Sequence, residues 1–165
     1  TGCRTGELCD AQWSDFDLDQ GIWHLKASKN STERYVQLST QCVNFLYTFY
    51  KPDQKYLFAS SRTGLPIQQK SLSEMKWQLK NPEKVQTKYR PEQLWLENMD
   101  DWNPHDLRRT VRTGLSRLGC PTDIAEAVLG HSKKGIEGTY NLHNYEAECA
   151  EWLQKWADYL ESVRK

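Results

Sequence analysis

The sequence predicts a mainly α-helical protein with a small antiparallel β-sheet. Three observations carry that prediction. Apolar residues recur at helical spacing over most of the second half and at 43–50. One pair of short β-rich runs, Ile22–Leu25 and Arg34–Leu38, flanks a polar connector. The length, 165 residues, suits one domain, 1–165, and the hydrophobic fraction of 38% with seven tryptophans allows a core to be buried.

From the start of the chain, Arg4–Gln12 reads as a short helix with Leu8 facing inward. Glu7 stands three residues after Arg4, the spacing at which a carboxylate can hold a guanidinium. Asp15–Gly21 reads as a turn leading into the first strand. The hairpin follows, its two strands joined by the turn-prone Ala27-Ser28-Lys29-Asn30-Ser31-Thr32. Thr40–Tyr50 is predicted helical, with Val43, Leu46, Tyr47 and Tyr50 on the buried face and Pro52 ending it. Tyr56–Phe58 reads as a short extended piece and Ser60–Pro66 as a loop. A helix over Ser71–Leu79 would be capped by Ser71 or Ser73. Asn81–Asn103 shows no period and is expected to be an irregular connector.

Pro104 sits where proline starts a helix, and Leu107, Val111, Leu115 and Leu118 are expected on that helix's buried face, with Gly119 as its end. A shorter helix runs from Pro121-Thr122-Asp123 to Leu129, closed by Gly130. Ile136–Tyr140 allows one more helical turn. Glu146–Val163 is the last helix, with Leu153, Trp156 and Leu160 as its core stripe.

No long apolar run, signal peptide or transmembrane segment is visible. The charged fraction of 27% fits a soluble, cytoplasmic protein. Five cysteines without a C-x-x-C pair point to reduced thiols. Net charge is zero, yet Lys51–Arg90 holds nine basic residues against three acidic ones. That block can face phosphates or be a solvated lysine-rich surface, and the charge pattern alone leaves both open.

The chemistry concentrates between His105 and Tyr140. His105 and Arg108 share a helix face at i and i+3. Leu129-Gly130 looks like a helix end that would leave His131 on the following turn, and Tyr140 stands nine residues later. Guanidinium binds phosphate oxygens through a planar fork, imidazole moves protons near neutrality, and phenol can attack phosphorus. A histidine or tyrosine in isolation is usually structural, which is the reading given to His24 and His143. Spacing within a pattern is what singles out His105, His131 and Tyr140. A zinc site from His105, Cys120, His131 and His143 lacks typical ligand spacing. No G-x-S-x-G or P-loop is present.

The arrangement H-x-x-R, then L-G-H, then Tyr140 resembles the second conserved box of the tyrosine recombinases, the phage integrase family. The opening Thr1-Gly2-Cys3-Arg4-Thr5-Gly6-Glu7-Leu8 is similar to that family's first box, T-G-x-R-x-x-E-L. The resemblance spans roughly Thr1 to Trp156 and implies the catalytic-domain fold of these DNA breaking-rejoining enzymes. It implies that Tyr140 attacks the scissile phosphate of double-stranded DNA, leaving a 3′-phosphotyrosyl link and a free 5′-hydroxyl. Arg4 and Arg108 would neutralise the phosphate, His131 would donate a hydrogen bond to it, and His105 would accept the Tyr140 proton. A hairpin lysine would protonate the leaving oxygen. Lys29 best matches, ahead of Arg34-Tyr35-Val36-Gln37-Leu38, with Lys26 competing because Gln37 stands where the family usually has proline. Arg109 points about 100° away from Arg108 and is assigned to DNA backbone or surface contact.

The resemblance implies no metal, ATP or other cofactor, a homotetramer on DNA for the full-length enzyme, and a bacterial cytosol or nucleoid location. It also implies that upstream DNA-binding domains are absent from this chain and that its start is truncated. A type IB topoisomerase shares the chemistry, and a DNA-binding remnant without catalysis is the reading from another class.

Overall fold

The computed structural model describes residues 1–27, 32–81, 101–131 and 145–164. Helix α1, Thr5–Asp10, starts where Arg4 is extended and its backbone N–H donates to Glu7 Oε2 at 2.8 Å. A single 3₁₀ turn, Trp13–Asp15, leads into β1, Phe16–Asp17. The predicted hairpin is β2, Ile22–Leu25, paired antiparallel with β3, Arg34–Gln37, and β1 adds a third strand on the free side of β2. The turn expected over Asp15–Gly21 therefore contains a strand, fixed by Phe16 lying opposite Trp23 with stacked rings at 5.2 Å.

Pairing of Trp23 with Val36 puts both on the inward face, while His24 and Tyr35 stack on the other face at 4.8 Å. The same period of two sends Arg34 inward beside Val36. Trp23, Leu25 and Val36 form one core cluster with Ala11, Trp13, Leu46 and Leu57.

Helix α2, Thr40–Tyr47, is capped by Ser39, whose hydroxyl accepts the Cys42 N–H at 3.2 Å. Only Leu46 of its expected stripe is fully buried, and Tyr47 and Tyr50 lie half exposed. The inward face is set by Cys42 and Leu46 packing under the sheet, and Tyr47 turns outward to donate to Asp19 Oδ1. Helix α3 covers Gln69–Lys80 with Gln68 before it, so neither Ser71 nor Ser73 is its cap.

Helix α4, Pro104–Arg117, has a reciprocal cap: Asn103 Oδ1 accepts the His105 N–H and Asp106 Oδ2 accepts the Asn103 N–H, both at 2.9 Å. These bonds satisfy orphan first-turn donors. Helix α5, Thr122–Leu129, and α6, Glu146–Val163, complete the described elements. The facing sides of α4, α5 and α6 bury Leu115, Ala125, Val128, Cys149, Leu153 and Trp156 in a second cluster.

Two further expected core positions are wrong. Leu107 is 59% exposed, because Arg108 takes its place on the inward side of α4 beside the expected Val111 and Leu115. Leu160 is also exposed, lying past the point where α6 meets the second cluster.

Gly114 shows how closely α4 and α6 approach. A Cβ built there would lie 2.1 Å from Trp156 Cζ3. Gly114→Ala should therefore force the helices apart and cost about 1–3 kcal/mol, read as a lowered thermal midpoint with α-helical content kept. Burial also pushes the Cys149 thiol up to about 12. Native protein at pH 8 should resist modification at Cys149 by a thiol-specific reagent, and unfolding should expose it, as peptide mapping can check.

Candidate anion-binding active site

The site lies where the start of the chain, β3 and the α4–α5 turn meet. Its floor is Arg108, only 5% exposed although charged. Arg108 Nη1 donates to the Gly2 carbonyl at 2.6 Å, and Nη2 donates to the Leu129 carbonyl at 2.7 Å. Nη2 also lies 2.8 Å from His131 Nε2. A guanidinium has no acceptor atom, so Nε2 is the acceptor in that contact. The fork thus ties the opening segment to the end of α5.

Glu7 organises the neighbouring wall. Its carboxylate, 5% exposed, accepts from Arg4 Nη1 at 2.9 Å and from Arg34 at 3.0 and 2.9 Å. The expected Arg4–Glu7 pair is present. Arg4 Nη2 reaches the Gly130 carbonyl at 3.4 Å. Gly130 closes α5 in the left-handed conformation at φ 66°, and a Cβ there would lie 2.4 Å from the Arg34 guanidinium carbon. Glycine is required both for that backbone and for that approach.

Three guanidiniums, Arg4, Arg34 and Arg108, thus crowd one corner. Burial is the largest influence on Arg108 and pushes its guanidinium down from its ordinary value; Arg4 pushes the same way, Glu7 partly offsets it, and Arg34 adds to it. An arginine stays charged regardless, so the corner holds more positive charge than Glu7 neutralises. Arg4 and His131, with side chains 35% and 44% exposed, form its open rim. Such a corner suits an oxyanion that can take several charge-assisted hydrogen bonds at once.

The structure brings Arg4, Arg108 and His131 together. His105 is exposed on the first turn of α4, one turn ahead of Arg108, and among the described residues its ring makes no side-chain hydrogen bond. Lys29 and Tyr140 lie outside the described residues, as does His143. Lys26, the competing lysine, has its ammonium at 2.5 Å from Asp15 Oδ1. Arg109 pairs with Asp106 at 2.9 Å on the exposed side of α4, facing away from the corner as its helical position requires.

Sequence reasoning missed Arg34 as part of this corner. The alternation Arg34-x-Val36 was the available signal, since it puts both side chains on one face of β3.

Residues 1–147 match the phage integrase family. The chain belongs to that family. Among curated relatives, a probable integrase/recombinase protein of Methanocaldococcus jannaschii is 26% identical over 94% of this chain and 46% of its own length. The integrase of Shigella phage Sf6 is 29% identical over 99% of the chain and 40% of its length. A tyrosine recombinase of Agathobacter rectalis is 30% identical over 85% of the chain and 43% of its length. The chain thus spans less than half the length of these relatives.

Among solved structures, the XerA recombinase superposes with a TM-score of 0.61 at 23% identity, covering 100% of this chain and 55% of that one. The Tn1549 transposon integrase in complex with a circular intermediate DNA gives 0.60 at 17% identity, over 92% and 55% of the two chains. The mainly α fold with a small antiparallel sheet is therefore one that this chain shares with both structures. Among the described residues no helix is long and apolar enough to cross a membrane.

Proposed function

We propose that this integrase-family chain carries the catalytic centre of a site-specific DNA recombinase that cuts and rejoins strands through a 3′-phosphotyrosyl intermediate. One observation carries the reading: Arg4, Arg108 and His131, far apart in sequence, converge on one corner rich in positive charge. The family's two boxes contribute to that corner from segments far apart in the chain.

The Tyr140 phenolate oxygen bonds to phosphorus as the bond from phosphorus to the 5′-oxygen breaks. The phenol proton passes to His105, and Lys29 gives a proton to the departing 5′-oxygen. Arg4 and Arg108 hold the non-bridging oxygens as charge grows on them. His131, once its ring has taken a second proton from solvent, presents Nε2–H to the same oxygens. A 5′-hydroxyl of a second duplex then attacks the phosphotyrosine and restores the diester. The phosphodiester energy is kept in the protein–DNA link, so the chemistry balances without an external energy source. The substrate is double-stranded DNA, and the full-length protein acts as a homotetramer on two duplexes.

For an arriving phosphate to use this corner, the Arg108–His131 contact has to open. Arg108 Nη2 and His131 Nε2 would then each face an oxygen in place of one another.

The test is a nicked suicide duplex, from which a cleaved strand cannot be religated. The wild-type chain is expected to form a covalent adduct stable in denaturing gels, and Tyr140→Phe to form none while still shifting the duplex in a native gel. An adduct that survives in Tyr140→Phe would contradict the assignment of the nucleophile.

A further inference from the structure

His131 reaches the corner through a fold-back at the end of α5. The His131 N–H donates to the Glu126 carbonyl at 3.0 Å and the Gly130 N–H to the Ala127 carbonyl at 2.8 Å. These two bonds, with Gly130 left-handed, form a Schellman motif. The motif returns the residue after glycine to the side of the residue five positions earlier. Glu126 is that residue, and its Oε2 lies 2.5 Å from His131 Nδ1. The other carboxylate oxygen is held in turn: Arg112 Nε, from α4, donates to Glu126 Oε1 at 2.7 Å. Arg112 Nη1 is itself fixed by the Ser116 hydroxyl.

We infer that Glu126, anchored by Arg112, is a positioning residue that holds His131 in the Nδ1–H form and aims Nε2 at the bound phosphate. The inference rests on the recombinase reading for what His131 does, and on geometry alone for what Glu126 does to it.

The proton inventory supports it. Arg108 Nη2 can only donate, so His131 Nε2 accepts. The ring proton is then on Nδ1, where the Glu126 carboxylate accepts it. Glu126 is held ionised: the His131 bond is the largest influence pushing its carboxyl below the usual range, with Arg112 adding to it against a partial opposing effect of burial. When phosphate displaces Arg108, Nε2 can donate only if the ring takes a second proton. The resulting imidazolium has a carboxylate on one side and the phosphate on the other. This is the orienting logic of a carboxylate behind a catalytic imidazole, assembled here from one helix end. Because the orientation comes from a five-residue fold-back, it needs no residue from the opening segment or from β3.

The experiment uses the whole chain with ¹⁵N-labelled histidine, the His131 signal being identified by its loss in His131→Gln. In the wild type the long-range ¹H–¹⁵N pattern is expected to show the Nδ1–H tautomer. Glu126→Ala removes the acceptor at Nδ1 while the Arg108 contact still disfavours Nε2–H, so the Nδ1 proton should lose its slow exchange with water and the ring its fixed orientation. Single-turnover cleavage of the nicked suicide duplex should fall in that variant by on the order of tenfold or more, with duplex affinity unchanged. Glu126→Gln, whose amide oxygen can still accept from Nδ1–H, should recover the protected Nδ1 proton and most of the rate. A wild-type His131 in the Nε2–H form, or a Glu126→Ala protein that cleaves at the wild-type rate, overturns the inference. The Nδ1 proton is read without DNA, so a protein in which Glu126 protects that proton but which never captures a strand would refute the recombinase reading and leave the Glu126 assignment standing.

Discussion

Arg108→Lys is expected to lower strand cleavage by about 10²–10³-fold, the scale seen when one preorganised donor to a developing oxyanion is removed. The reason is geometric. One guanidinium serves the Gly2 carbonyl, the Leu129 carbonyl and His131 Nε2 at 2.6, 2.7 and 2.8 Å. A lysine ammonium keeps the charge but is a single point on a flexible stem, and it cannot span those three acceptors with one planar fork. The buried Leu129 carbonyl would lose its partner, at about 1–3 kcal/mol. Single-turnover cleavage and a thermal melt check both parts. Cleavage by Arg108→Lys at the wild-type rate would show that the fork is dispensable.

Glu7→Ala is expected to give the largest loss of stability, about 3–5 kcal/mol, because it leaves like charges facing one another in a partly dry corner. The Glu7 carboxylate is bonded by both Arg4 and Arg34. Arg34, with its side chain 14% exposed, carries most of the expected effect, while water partly screens Arg4 at 35%. The denaturant midpoint should drop with the slope unchanged. Cleavage should fall as well, since Arg4 loses the contact that points it at Gly130 and the rim. Glu7→Gln keeps the hydrogen-bond acceptor without the charge and should fall between the two. A Glu7→Ala protein as stable as the wild type would mean that the guanidiniums do not depend on this carboxylate.

The helices that shape the second core were legible because periodicity and punctuation agree there. Pro104, Gly119 and Gly130 mark ends that the structure keeps, and the last helix runs from Glu146 to Val163 as its stripe predicts. The hairpin was legible from the β-rich runs on each side of a polar turn. The errors come from tertiary contacts that no local pattern encodes. Arg108 displaced Leu107 from the inward face because a charged side chain with three partners can occupy a buried position that periodicity reserves for leucine. The two-residue strand β1 owes its existence to Trp23 across the sheet, more than to its own composition. Tyr47 and Tyr50 counted as apolar in a helical stripe, yet both lie half exposed and the Tyr47 hydroxyl donates to Asp19.

The site was legible to the extent that its residues sit in spaced motifs. Arg4, Arg108 and His131 were each found that way, and their meeting is a result of the fold. Arg34 and Glu126 carry no such motif. Arg34 arrives through strand alternation, and Glu126 arrives through the reversal at Gly130, which turns a separation of five residues into a hydrogen bond.

The most direct measurement is a structure of the chain bound to a duplex whose scissile phosphate is replaced by vanadate. Its oxygens are expected within about 3 Å of the Arg4 and Arg108 guanidiniums and of His131 Nε2, with the Arg108–His131 contact broken and the Tyr140 oxygen in line with the departing 5′-oxygen. A vanadate bound elsewhere, with Arg108 still donating to His131, would contradict the account.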